Sequence, residues 1–135
     1  RVGHRVTASN ATIRQTIYDA LGNVLGVNRY QFPESSVQAP AACVGAIEFE
    51  RSTFDGGRRC VARVVVLVSP SDDEQLFVLD RMLDPSDDMS VLAAIDSVTD
   101  IDGVSLAWSS TGGYEEVTWN GIGYLGTTVT VDVWV

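Results

Sequence analysis

Six residues carry the one nucleotide-like signature in this chain: Gly121, Ile122, Gly123, Tyr124, Leu125 and Gly126 match G-x-G-x-x-G letter for letter. A dinucleotide fingerprint needs a strand before it and a helix after it, so that the helix N-terminus meets the pyrophosphate. Here Thr127, Thr128, Val129, Thr130 and Val131 follow, which is strand composition, so the glycines read as hairpin or bulge positions. Asp84, Ser86 and Asp88 have the spacing of calcium-loop ligands. The sixth position would be Met89 where glycine is required, and the twelfth Ile95 where glutamate is required. These acids read instead as helix caps and a turn.

His4 is the only histidine. It lies in a segment without periodicity, where nothing would hold an imidazole in place for a nucleophile. A zinc site would have to combine it with Cys43 and Cys60, which lack C-x-x-C or H-x-x-x-H spacing. Glu115 and Glu116 are adjacent, so on a strand they point to opposite faces, a poor start for paired acid–base work. The residues therefore predict no catalytic site, no metal and no cofactor, and a chain that is not an enzyme.

The elements that would position any site follow from periodicity. Residues 1–9 predict an N-terminal arm. Asn10 is a good N-cap, and Ile13, Ile17, Leu21 and Leu25 recur every fourth residue, predicting a helix over 11–25 that stops at Gly26. Residues 27–41 contain Pro33 and Pro40 and predict an irregular connector with little room for a regular element. Alternation predicts a strand over 42–50. A hairpin loop over 51–59 turns at Asp55, Gly56 and Gly57. A second strand over 60–68 is apolar on both faces after Arg63, so it belongs in the middle of a sheet. In that pairing Cys60 faces residue 51 or 52, not Cys43, and two buried thiols are expected.

Ser71 and Glu74 have capping-box spacing, which predicts a helix to Leu83 with Leu76, Leu79 and Leu83 on one stripe. After Pro85 a second helix over 88–98 buries Val91, Leu92, Ile95 and Val98. The last third predicts two or three strands: Val104, Leu106 and Trp108 alternate, Gly112 and Gly113 break the run, Asn120-Gly121 signals a type I′ hairpin, and Val129 to Val135 form the clearest strand. The expected fold is α+β, a mostly antiparallel sheet of about four strands with helices packed on one face, in a single domain over residues 10–135.

Composition narrows function. The 135 residues are 45% apolar and 20% charged, which is ordinary for one globular domain, and no apolar run approaches the ~20 residues of a membrane span. The chain holds nine Arg and no Lys, with a net charge of −9. Residues 1–63 carry eight Arg against five acids, and residues 64–135 carry one Arg against thirteen acids. No basic stripe suits tight DNA binding. The segregation suits either plain solubility or a positive face of one copy meeting a negative face of the next. Trp134 lies on the polar-patterned side of the final strand. Trp119, Tyr124 and Tyr114 fall near a hairpin tip, and Phe54 is flanked by Arg51, Arg58 and Arg59. Aromatic residues and Arg are enriched in interface cores, so Arg51, Phe54, Arg58, Arg59, Trp119, Tyr124 and Trp134 are the candidate contact residues. The alternative for each aromatic is that it covers the end of the core.

The element order resembles the lambda-type bacteriophage tail terminator family. The likeness rests on the opening helix, the connector with Phe32-Pro33 and Ala39-Pro40, the strand Arg63 to Val68 ending at Pro70, the acid-rich helix Ser71 to Leu83, the short helix Asp88 to Val98 and the closing strand Val129 to Val135. It is a likeness of pattern over about residues 10–135, with no single diagnostic motif, and the 1–9 and 112–126 segments look like additions to it. The resemblance implies a structural virion protein, assembled in the host cytoplasm. It would form a hexameric ring that caps the tail tube, ends its polymerisation and joins it to the head–tail connector. Its implied partners are copies of itself, the major tail tube protein and the connector, with DNA passing through the lumen unbound. Two other readings stand beside it: a different neck component, and a small cellular regulatory or ligand-binding domain.

Overall fold

The strand Arg58–Val68 (β3) is the centre of the sheet in a computed structural model that describes residues 9–32, 37–51, 58–70, 73–101 and 103–134. Its even-numbered residues Cys60, Ala62, Val64, Val66 and Val68 are fully buried. Leu67 is equally buried on the opposite side. A strand apolar on both faces can satisfy its backbone only between neighbours and lose its apolar surface only under two layers. β3 accordingly pairs antiparallel with Ala41–Arg51 (β2) on one side and Ile122–Trp134 (β6) on the other.

Among the described residues the sheet has six strands and is mixed, where about four and a mostly antiparallel arrangement were expected. Asn28–Tyr30 (β1) supplies the parallel pair, Asn28 opposite Ala41 to Tyr30 opposite Cys43. It arises inside the stretch read as an irregular connector. Three residues are too short to show alternation, so the strand exists only because β2 offers it a ladder. The far side of β6 is covered in two pieces, by Ser105–Thr111 (β4) and then by Glu115–Trp119 (β5). Both run antiparallel to β6. They act as one long strand interrupted at residues 112–114, as the two glycines there suggested. Asn120 and Gly121, with φ of 51° and 82°, make the tight hairpin turn into β6.

Three helices contribute to one core. Asn10–Leu21 (α1) buries Ile13, Ile17 and Leu21. Asp73–Met82 (α2) buries Leu79 and Met82, and Val91–Asp96 (α3) buries Val91, Leu92 and Ile95. All join the even side of β3 and Val129, Val131 and Val133 of β6 in a single cluster. A second cluster on the other side holds Ala41, Cys43, Leu67 and Tyr124, with Tyr30, Val37, Ala39 and Trp119 packed against it.

The helix boundaries differ from expectation for local reasons. Ser9, not Asn10, caps α1, its hydroxyl accepting from the Thr12 amide at 3.2 Å. The helix closes at Leu21 because the amides of Gly22, Asn23 and Val24 turn back to Asp19, Ala20 and Leu21. Leu25 is therefore 64% exposed and is not part of the stripe. On α2, Leu79 is buried and Leu83 packs against the core as expected, but Leu76 is exposed and Met82 is buried beside them. The proposed cap at Ser71 lies outside the described residues. The third helix begins at Ser90, whose hydroxyl accepts from the Ala93 amide, and not at Asp88.

Cys60 faces Phe49, not residue 51 or 52. The last pair before the β2–β3 connection is Arg51 with Arg58, so the ladder is centred ahead of Gly56 and Gly57 and shifts the partner down β2. Cys43 faces Val65. The thiols sit about five residues apart along the sheet, roughly 17 Å at strand rise, too far for a disulfide. Both are buried.

Candidate interaction surfaces

The β2–β3 register brings the basic residues together at one end of the sheet. Arg51 stands directly opposite Arg58, and Arg59 opposite Glu50. The side chains of Glu50, Arg51, Arg58 and Arg59 lie outside what the structure describes, so only their backbone register is placed. Phe54, expected at the tip between them, lies outside the described residues. Trp134 ends β6 at the same end of the sheet, opposite Ser105, and is 57% exposed.

The opposite end is acidic. β5 begins level with Leu67 and Val68, with Glu115 opposite Gly126 and Glu116 opposite Leu125, and its later residues and the first of β6 run past the last β3–β6 pair. Glu115 and Glu116 are exposed there, and their partners on β6 are the uncharged Gly126 and Leu125. Among the described residues β5 pairs only with β6, so its outer backbone edge is open. The candidate aromatics at this end divide. Tyr124 is 7% exposed and donates its hydroxyl to the Val37 carbonyl at 3.3 Å, so it covers the end of the core. Trp119 is half-buried against the same cluster, and its buried indole Nε1 has no hydrogen-bond partner among the described groups. Tyr114 is not with them. It lies at the break between β4 and β5, where its hydroxyl donates to Asp80 on α2 at 2.7 Å.

Four arginines serve the fold, a role that charge counting did not reveal. Arg14 donates to the carbonyls of Gln31, Val44 and Gly45 at 2.9–3.0 Å and stacks over Phe32. β1 stops pairing at Cys43 and β2 shifts register between Val44 and Ile47, so the guanidinium replaces a ladder that has run out. Arg29 donates to the Tyr18 carbonyl at 2.9 Å with its guanidinium 4.2 Å over the Tyr18 ring. Arg63 pairs with Glu48 at 3.0 Å, and Arg81 with Asp87 at 2.9 Å. Only tertiary proximity could reveal the Arg14 and Arg29 contacts, because their partners are 11 to 31 residues away.

Asp84 and Ser86, two of the residues with calcium-like spacing, shape a turn together with the neighbouring Asp87. Asp84 accepts from the amide and the hydroxyl of Ser86, and Asp87 accepts from the Met89 amide and from Arg81. Those bonds hold both carboxyls below their ordinary range: for Asp84 the Ser86 amide leads, for Asp87 the Arg81 side chain. Among the described residues no three His, Cys, Asp or Glu side chains converge as a metal site would need. No described helix is long and apolar enough to cross a membrane. A groove of about 530 Å³ runs between α1 and Ser97–Ile101, with Thr12, Gln15, Asp19, Asn23 and Ser97 along it and Val98 and Ile101 on one wall.

No protein-family model matches the sequence, and no curated protein matches it significantly.

Proposed function

We propose that this chain is a ring-forming structural subunit, a tail terminator of a long-tailed bacteriophage. In this reading six copies cap the tail tube, end its growth and offer the opposite face of the ring to the head–tail connector. The observation that carries it is the polarity of the sheet, with Arg51, Arg58 and Arg59 at one end and Glu115 and Glu116 at the other. A closed ring is built from heterologous contacts, each using two unlike patches of one subunit. A domain with a basic end and an acidic end has two such patches. Part of the acidic 71–102 region, such as the surface of α2 and the 84–88 turn, or alternatively the acidic late strands, would line the lumen, where it repels DNA and lets it slide. The tail tube, the connector and further copies of the chain are the partners, and no catalysis is involved. A different neck component would share this surface logic and change only the partners.

Electron microscopy of the purified chain at high concentration, sorted by rotational symmetry, tests the proposal. Sixfold rings with an open centre support it. Dimers without a ring, persisting when tail tubes are added, defeat it.

The groove beside α1 favours a second reading, a small cellular ligand-binding domain. Its volume lies within the range of small-molecule pockets, and hydroxyl, amide and carboxylate groups stand around an apolar wall. A ligand bound there would shift the amide resonances of Asp19, Asn23 and Ser97 at micromolar concentration in a screen of cell extract. Absence of any such shift counts against this reading.

A further inference from the structure

We infer that the outer edge of β5 takes up an extended protein segment with two adjacent Lys or Arg residues, which joins the sheet as a further strand beside Glu115 and Glu116. The inference rests on the ring reading only for its partner, a protein that meets the assembled ring and not a second copy of this chain.

The β5 edge differs from the other borders of the sheet. On β4, the Leu106 amide donates to the Val98 carbonyl at 3.1 Å and the Trp108 amide to the Asp96 carboxylate at 3.2 Å. On β2, Arg14 takes the Val44 and Gly45 carbonyls where β1 stops pairing. Borders closed in this way recruit no further strand. Among the described residues β5 pairs only with β6, and its ladder runs from Glu115 to Trp119 without a bulge. The turn fixes which backbone groups face out. Trp119 and Ile122 flank the two-residue Asn120-Gly121 turn, so the bond across that turn joins this pair. Bonded and non-bonded pairs alternate in an antiparallel ladder. Val117 and Glu115 therefore bond inward, and Glu116 and Thr118 turn amide and carbonyl outward.

The edge is also held in place. Tyr114 is bonded to Asp80 just ahead of it, and Val117 and Trp119 pack on the cluster around Leu67 and Tyr124. A fixed edge loses little freedom when a strand arrives. Charge selects what arrives. Glu115 and Glu116 are exposed, their neighbours on β6 are uncharged, and adjacent strand residues point to opposite faces. Two β5 edges laid together would set four carboxylates along one seam, which disfavours a second copy pairing through the same strand. A segment with two adjacent cations places one against each glutamate. Its backbone bonds then supply affinity, and the charges fix register.

Peptide titration of the intact chain, read by amide hydrogen exchange, is the test. The probe is a short synthetic Thr/Val peptide with two adjacent arginines at its centre, and the control carries two glutamates there. The arginine peptide is expected to bind and to slow exchange of the Glu116 and Thr118 amides by roughly tenfold or more, and the glutamate peptide to do neither. Thr118→Pro removes one outward amide at an edge position that tolerates proline, and is expected to abolish binding. E115R/E116R is expected to weaken the arginine peptide by roughly tenfold or more and to admit the glutamate peptide. Circular dichroism with thermal melting checks that each variant is folded, and the charge reversal alone decides if the proline variant is not. Equal binding of both peptides overturns the proposed partner, and binding of neither overturns the docking edge. Slow exchange at Glu116 and Thr118 in the free chain, or on self-assembly alone, shows the edge filled by this chain and also overturns it. Sixfold rings beside any of these failures leave the ring reading in place. Peptide binding by a chain that forms no rings keeps the edge and defeats the ring reading.

Discussion

The Tyr114 hydroxyl donates to Asp80 at 2.7 Å and so fastens the break between β4 and β5 to the outer face of α2. Without it, residues 112–114 would be held only by the bonds of Gly112 to β6. Thr127 reinforces the same point, its hydroxyl donating to the Gly112 carbonyl at 2.7 Å.

Partial burial, then the hydrogen bond to Asp80, then its charge push the Tyr114 phenol up from its ordinary value to about 12. A raised folded-state value means that the neutral form is the stabilised one. The contribution is therefore full below about pH 10 and is lost as pH rises from there through about 12. Tyr114→Phe is expected to destabilise by about 0.5–1.5 kcal/mol at neutral pH, the net worth of one such bond. Its melting temperature should converge on that of the wild type as pH rises to about 12. A constant gap between the two across the alkaline range would show that the bond does not matter.

Arg14 offers a sharper case, because one side chain serves three carbonyls. Arg14→Ala leaves part-buried acceptors without donors at the β2 bulge and is expected to lower stability by about 1.5–3 kcal/mol in urea unfolding. Arg14→Lys should recover less than half of that, since an ammonium cannot reproduce the planar fork. Full recovery by lysine would show that charge alone matters there.

Asp87 should matter only above acidic pH. Its carboxyl is held below the ordinary 3.8 by the Arg81 side chain first and the Met89 amide second. A depressed value stabilises the fold above the ordinary value and is lost as pH falls through the lowered one. Asp87→Asn should therefore lower the melting temperature at pH 7, and the difference should shrink as pH is taken below 3.8. A difference that persists at the lowest pH would assign the effect to shape and not to charge.

The glycines of the nucleotide-like motif can be separated by substitution. A Cβ on Gly126 would collide with the Val66 carbonyl and crowd Leu67, because β3 and β6 approach closely there. A Cβ on Gly123 would meet only the tip of Glu116 at 3.4 Å. Gly126→Ala is expected to cost about 1–3 kcal/mol and Gly123→Ala under about 1 kcal/mol, measured by thermal unfolding. Equal effects would contradict the close approach.

Where apolar spacing is strong, the sequence alone determined the outcome. The β3 run, the buried Val91, Leu92, Ile95 and Val98, the Asn120-Gly121 turn and the break at Gly112 all stand where periodicity and turn chemistry put them. These are short-range preferences, written in neighbouring residues. The opposing charge of the two halves was legible for the same reason, since it is a sum over residues.

Tertiary structure decided the rest. β1 is three residues long and has no pattern of its own; it exists because β2 pairs with it. Tyr124 and Trp119 read as contact residues, yet Tyr124 is core and Trp119 packs beside it, because the hairpin tip folds over Val37 and Ala39. Arg14 and Arg29 enter the sequence only as two of the eight Arg in residues 1–63, yet they are structural, since their carbonyl partners come from other elements. Most of all, only the strand register shows that Arg51 faces Arg58 at one end of the sheet and that Glu115 and Glu116 stand at the other. Composition gives the amount of charge, and the register of an extended, rigid ladder gives its separation in space.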